Sequence, residues 1–235
     1  MRAVLESLLR ARNLDVTLAA LGPAGEPLDP ARTAPTGCAA LDRLLGGGLR
    51  RGHLSEITGA PSTGVTQLAI QMLAAATARG EAVALVDTCD TFDPASAAAH
   101  GVALPQLLWI RERGDAARAL HAFALVLQAG GFGLVVFDVA DVAAHARRRF
   151  PPTTWMRAAR MIEAGETVAV LLGRERMARS AGGVTIALES VPAAWQGHTH
   201  RARIFSGLAV TPRVIGAVVA GGPIGAGVAE ASIPK

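Results

Sequence analysis

The run Ile57-Thr58-Gly59-Ala60-Pro61-Ser62-Thr63-Gly64-Val65-Thr66-Gln67 has the residue types and spacing of a phosphate-binding loop. Gly59, Gly64 and Thr66 keep the pattern G-x-x-x-x-G-x-[ST], with Ser62 and Thr63 inside it. Glycines at this spacing let backbone N–H groups converge on a phosphate, and a helix that starts at the end of the loop adds its positive terminus. Thr66 stands where a hydroxyl ligates magnesium. Val65 occupies the place of the usual lysine, and the chain's single lysine is Lys235. A charge-assisted hydrogen bond contributes about 1.5–3 kcal/mol. Losing one fixed stabiliser of developing charge costs a rate factor of about 10²–10³. The loop therefore predicts weak Mg-ATP binding at most, or no cofactor, and no efficient hydrolysis.

A second element supports a nucleotide site. Leu134-Val135-Val136-Phe137-Asp138 is an apolar run closed by a carboxylate. An aspartate at the end of such a strand holds magnesium through water in phosphoryl-transfer sites. Asp138 therefore joins Gly59, Ser62, Thr63, Gly64, Val65 and Thr66 as a candidate, if degenerate, nucleotide-binding residue.

These residues need a scaffold. A strand is expected at 53–58 and a helix at 66–79, stopped by Gly80. Strands follow at 82–86, 107–110, 133–137 and 167–172, with helices at 116–128 and 153–164. Thr36 and Thr153 are expected to cap helices. Continuous apolar runs alternating with helical patterns predict an α/β fold: a mostly parallel twisted sheet covered by helices on both faces. Short antiparallel strands at 184–189, 203–210 and 213–219 are expected at its C-terminal edge. The organisation read is an N-terminal helical arm and Pro/Gly-rich linker at 1–35, a core at 36–219 and a flexible tail at 220–235.

Composition narrows the class. The chain has 235 residues, of which 51% are hydrophobic, enough for one sizeable core. Its formal charge is +4 and its cations are almost all arginine. Either that suits phosphate or carboxylate partners, or a GC-rich genome has simply replaced lysine by arginine. Cys38 and Cys89 are isolated and form no metal or redox motif. Glu6, Arg10 and Arg12 interrupt any signal-peptide core, and no apolar stretch is long enough for a membrane span. A soluble, cytoplasmic protein is expected.

The segment from Thr36 to Gly52, containing Thr36-Gly37, Leu41-Asp42, Gly46-Gly47-Gly48 and Gly52, resembles the lead-in to RecA-superfamily ATPase cores. The stretch from Gly80 to Pro94, with Asp87 and the pair Asp93-Pro94, resembles the strand of RecA that leads to its catalytic glutamate. The resemblance spans 36–219 and is most specific in its first hundred residues. It implies a RecA-like core. At the catalytic glutamate position this chain has Cys89, with Asp90 one residue away. Arg50, Arg51 or an arginine from another subunit are the candidates to supply the missing charge.

Among shorter relatives the chain is similar to ImuA-type mutagenesis accessory proteins, which have degraded phosphate loops. That similarity implies a pseudo-ATPase partner protein in damage tolerance, of the SOS-type response and translesion synthesis. It would dock on RecA or on error-prone polymerase components through a surface related to the RecA subunit interface. The alternatives are a weak DNA-dependent ATPase and a regulatory module of another RecA-superfamily branch.

The resemblance also implies two DNA-facing loops. Here they carry Arg147, Arg148 and Arg149 after the Asp138 strand, and Arg174, Arg176 and Arg179 after the next strand. These arginines are candidates for non-specific DNA or for an acidic partner. Base stacking could come only from Trp155 or a few phenylalanines. The pair His198 and His200 is short of a third metal ligand, and Trp195 is a candidate partner anchor.

Overall fold

The computed structural model describes residues 30–151, 153–178, 183–196, 204–215, 218–219, 222–223, 227–228 and 231–233. The arm at 1–21, Arg179, His198, His200 and the side chain of Trp195 lie outside the described residues.

Near the start of the described residues a short ribbon forms: β1 (Thr33–Ala34) pairs antiparallel with β2 (Leu49–Arg50) around helix α1 (Ala39–Leu45). Thr36 does not cap α1; Cys38 holds that position. Thr36 Oγ1 instead donates to Asp42 Oδ1 at 2.7 Å and accepts from the Cys38 N–H at 3.2 Å. The glycine run does more than end α1. Gly46 caps it in the left-handed region, and a Cβ on Gly48 would stand 2.8 Å from Pro35 Cα, too close to exist.

The main chain of elements is β3 (Leu54–Gly59), α2 (Val65–Ala78), β4 (Val83–Asp87), α3 (Pro94–Ala99) and β5 (Leu107–Arg111). It continues with α4 (Ala116–Ala129), β6 (Leu134–Asp138), α5 (Ala144–Arg147), α6 (Thr153–Ile162) and β7 (Val168–Gly173). β8 (Thr185–Gln196) and β9 (Ile204–Ile215) follow. The sheet order is β8-β3-β7-β6-β4-β5, all parallel, with β9 antiparallel on β8.

The expected strands and helices of 53–172 are present within one or two residues. The edge differs. The strand expected at 184–189 is parallel to β3 and runs on to Gln196. The two strands expected at 203–210 and 213–219 are one continuous strand through Thr211 and Pro212. Pro212 is tolerated there although it cannot donate to a ladder. Thr153 is the first residue of α6 rather than its cap. Within the stretch read as a flexible tail, β11 (Gly222–Pro223) pairs with β10 (Val218–Val219), while β12 (Gly227–Val228) and β13 (Ala231–Ile233) pair with β9.

Strand alternation sorts the core into two layers. Val83 and Leu85 face the layer of α1 and α2, with Ile57, Val136, Val170, Leu172, Leu68 and Leu73. Ala84 and Val86 face the layer of α4 and α6, with Phe137, Leu171, Phe123, Trp155 and Ile162. Phe123 stacks on Phe137 with centroids 4.8 Å apart. Each buried valine, leucine, isoleucine or phenylalanine among these contributes about 1.5–3 kcal/mol. The two layers clamp the sheet, so the C-terminal ends of β3, β4, β6 and β7 are fixed relative to one another.

Candidate functional site

The phosphate loop joins β3 to α2. Gly64 is the N-cap of α2 with φ +92°, a left-handed conformation that glycine adopts without strain. Ser62 also has positive φ, +64°, and is exposed at the loop tip. Thr66 is exposed in the first turn of α2. The glycine loop thus leads directly into the first turn of α2, as the candidate phosphate loop requires.

Its side chains close on each other. Thr63 is 2% exposed, and its hydroxyl donates to the Ala60 carbonyl at 2.7 Å. Val65 is 8% exposed and belongs to the core layer under α2. A Cβ on Gly59 would collide with Thr63 Oγ1 and stand 2.9 Å from Val65 Cγ2. The position that carries a cation in an active loop is therefore an inward-packed aliphatic group.

The row across the strand ends is Ile57, Leu172, Asp138, Asp87 and Arg111. β7 lies between β3 and β6, so Asp138 stands about 10 Å from the end of the loop strand, two strand spacings away. Asp138 Oδ1 accepts from the Ala140 N–H at 2.9 Å. Burial, then the charges of Asp87 and Asp141, push its pKa up to about 6 against that single hydrogen bond. Asp87 is only 1% exposed and is fully occupied. It accepts from the N–H groups of Thr91 and Phe92 at 3.1 and 2.9 Å, and from Trp109 Nε1 at 3.2 Å.

Cys89, expected at the position of the family's general base, and its neighbour Asp90 have other work. Cys89 packs against the α4 and α6 layer. Burial, with Asp141, Asp138 and Asp87 nearby, raises its thiol pKa, the reverse of what a reactive cysteine needs. Asp90 has φ +60° and turns outward to a two-pronged pair with Arg111, at 2.6 and 2.8 Å. The Arg111 guanidinium in turn lies 4.4 Å over the Trp109 ring.

Arg50 and Arg51 do not reach the loop. Arg51 Nη2 pairs with Glu81 at 2.6 Å, and Nη1 donates to the Glu166 carbonyl at 2.9 Å. Both partners precede strands, so Arg51 sits at the opposite end of the sheet from Gly59–Thr66. Arg50 lies in β2, where burial and then Arg32 lower its pKa.

The two basic loops are brought together, and part of their charge is spent internally. Arg147 Nη2 donates to Glu175 Oε1 at 3.1 Å. Arg174 donates to the Ala140 carbonyl at 2.9 Å and to Asp141 Oδ1 at 2.6 Å. Arg148, Arg149 and Arg176 are exposed. Trp155 is 3% exposed and cannot stack on a base.

Glu56 is a residue that sequence reasoning passed over, because its neighbours on β3 read simply as a buried strand. It is 1% exposed. Its Oε1 accepts from the N–H groups of Met177 and Ala178 at 2.6 and 3.0 Å, and Oε2 accepts from Thr185 Oγ1 at 3.4 Å. One carboxylate thus ties Met177 and Ala178, which follow β7, to Thr185, the first residue of β8. Burial raises its pKa, partly offset by those donors. The only signal in sequence was a charge in a buried run, three residues before Gly59.

The RecA N-terminal domain family matches residues 19–149, more than half of the chain, so the chain belongs to the RecA family. Protein RecA of Thermus thermophilus is 35% identical over 139 residues, covering 58% of this chain and 41% of that protein. Protein RecA of Methylococcus capsulatus is 39% identical over 105 residues, covering 44% of this chain and 30% of that protein. The chain thus spans about two fifths or less of the length of these relatives. The crystal structure of the RadB recombinase superposes with a TM-score of 0.53 at 19% identity, covering 76% of this chain and 95% of that one. That likeness shows the RecA/RadB fold. Among the described residues no helix is long and apolar enough to cross a membrane.

Proposed function

We propose that the protein is a RecA-like pseudo-ATPase that serves as an accessory protein in DNA damage tolerance, of the ImuA type. It docks on RecA or on error-prone polymerase components of a translesion assembly. The observation that carries this reading is the inward packing of Val65 against Gly59, with the Thr63 hydroxyl turned back onto Ala60. A cradle without its cation, filled by its own side chains, is suited to shape rather than turnover. The carboxylate of Asp90 is held by Arg111, so no general base stands at the family position.

Two measurements test the proposal. Millimolar Mg-ATP is expected to raise the melting temperature by less than a degree, with no phosphate release above background, with or without single-stranded DNA. A pull-down with this chain is expected to retain RecA or a polymerase component. Retention of neither, or turnover comparable to RecA, would sink the reading.

One observation favours a weak DNA-dependent ATPase as the second reading: the loop backbone, with Gly64 left-handed and Thr66 exposed, is intact. That reading requires phosphate release that Asp138→Ala abolishes.

A further inference from the structure

The loops that follow β6 and β7 hold each other. These strands are parallel neighbours, so both loops leave the sheet at the same end. The first carries Asp141 and Arg147, the second Arg174 and Glu175. Arg174 pairs with Asp141 at 2.6 Å, and Arg147 with Glu175 at 3.1 Å. The polarity is reversed between the two pairs: each loop gives the other one cation and one carboxylate. The exchanged pairing would set Asp141 against Glu175 and Arg147 against Arg174, and both contacts would repel. Only one register of the two loops matches every charge.

The two pairs differ in weight. Arg174 and Asp141 are exposed, and an exposed pair alone contributes little. Arg147 is the stronger member. Its side chain is only 10% exposed, and its Nη1 donates to the Val142 carbonyl. Its Nε is buried and has no acceptor among the described residues. Glu175 is the carboxylate that balances this guanidinium, and it reaches in from the other loop with 64% of its side chain exposed. A buried cation that loses its carboxylate is strongly disfavoured. Without Glu175 the segment that carries Arg147 would turn outward. That segment is the short helix α5, whose last turn is held by the N–H groups of Arg147 and Arg148 on the carbonyls of Ala143 and Ala144, both at 3.1 Å.

We infer that the reciprocal pairs form an autoinhibitory latch, which withholds Arg147 and Arg174 from the phosphodiester backbone of a single nucleic-acid strand. A carboxylate and a phosphate compete for the same guanidinium fork. With the latch closed, Glu175 and Asp141 occupy two forks, and Arg148, Arg149 and Arg176 are the exposed arginines left to a ligand. With the latch open, all five arginines of the two loops face it. The ligand opens the latch by replacing each carboxylate with a phosphate. The latch stands apart from the accessory role proposed above and uses none of the residues that carry that reading.

The test uses the full chain and a fluorescent oligothymidine, titrated by anisotropy over a range of salt. Each phosphate contact on a single strand adds about 0.7 to the slope of log affinity against log salt. Three available arginines give a slope of about −2 for the wild type, and five give about −3.5 for the opened variant, Asp141→Asn with Glu175→Gln. The opened variant is expected to bind roughly tenfold tighter in low salt. Glu163→Gln with Glu166→Gln makes the same change in net charge on exposed carboxylates outside both loops, and should show neither effect. Adding Arg147→Gln and Arg174→Gln to the opened variant should return slope and affinity to wild-type values. Because Arg147 is nearly buried, Arg174→Gln is also added alone, and should remove about half of the gain in slope. Hydrogen exchange reads the latch without ligand: Glu175→Gln should quicken the amides of Arg147 and Arg148, which lie on the other loop. An equal gain in the Glu163 and Glu166 control would overturn the inference, because net charge alone would then explain it. So would a gain that survives loss of the two arginines, or unchanged exchange at 147 and 148 in Glu175→Gln. The pull-down with RecA reads none of these quantities, so either proposal can fail alone.

Discussion

Val65 lies against Gly59: a methyl group added to Gly59 would stand 2.9 Å from Val65 Cγ2. The first glycine of the loop and the position that normally carries its cation therefore share one patch of core. A lysine stem at 65 would have to leave this patch and run outward. Val65→Lys is expected to lower stability by about 1–3 kcal/mol without nucleotide, through lost packing and a strained amine. The same variant should gain a melting-temperature rise in Mg-ATP that the wild type lacks, by mass action on the folded state. Identical Mg-ATP responses in the two proteins would show that Val65 is not what limits the site.

Asp138 sets a pH dependence. Its folded pKa of about 6 lies above the ordinary 3.8 because burial and Asp87 disfavour its charge. The unfolded chain therefore ionises it more readily. Its stabilising contribution is fully present below about pH 4 and is lost as pH rises through about 6. Asp138→Asn keeps an acceptor for the Ala140 N–H and removes the charge. The variant should be more stable than wild type at pH 7 by about 1–3 kcal/mol and similar to it near pH 4. Urea unfolding at both pH values measures this. A constant offset across the range would contradict the assignment.

Glu56 should govern the segment between β7 and β8. Glu56→Ala strands the buried Ala178 N–H, at about 1–3 kcal/mol, and the half-buried Met177 N–H at less. Glu56→Gln keeps one acceptor oxygen and should cost clearly less. Hydrogen exchange at 177 and 178 should quicken strongly in the alanine variant and slightly in the glutamine variant. Unchanged protection of those two amides in Glu56→Ala would refute the clasp.

The loop arginines should separate into two groups. Arg174→Ala breaks an exposed pair with Asp141, worth at most about 1 kcal/mol, and should leave weak oligonucleotide binding nearly unchanged. Arg148→Glu with Arg149→Glu should remove most of any such binding and flatten its salt dependence, because those groups are exposed. Anisotropy titrations at two salt concentrations read the difference. Equal losses in both variants would mean that the Arg174 pair opens to bind phosphate.

Much of this was legible from residues alone, because local patterns carry it. Apolar runs such as Val83–Asp87 and Leu134–Asp138 define buried parallel strands, and glycines at 59 and 64 define the loop. The family assignment rests on the same local segments, which fall within residues 19–149. The edge was harder. Two strands were expected at 203–210 and 213–219, yet β9 runs through Thr211 and Pro212, because β8 on one side and β12 and β13 on the other hold the chain extended. Thr36 looked like a cap, and its hydroxyl turned out to bind Asp42 instead.

What the sequence determined by itself is the inventory: a G-x-x-x-x-G-x-T run with valine before its threonine, an apolar run closed by Asp138, a cysteine and an aspartate at 89 and 90, arginines in two loops. Tertiary structure decided how each is used. It turned Val65 inward, gave Asp90 to Arg111, tied Arg147 and Arg174 to nearby acceptors, and put Glu56 under the segment that follows β7. The reason is range. Spacing along the chain records what neighbours in sequence do, whereas these side chains find their partners across strands and loops that only folding brings together.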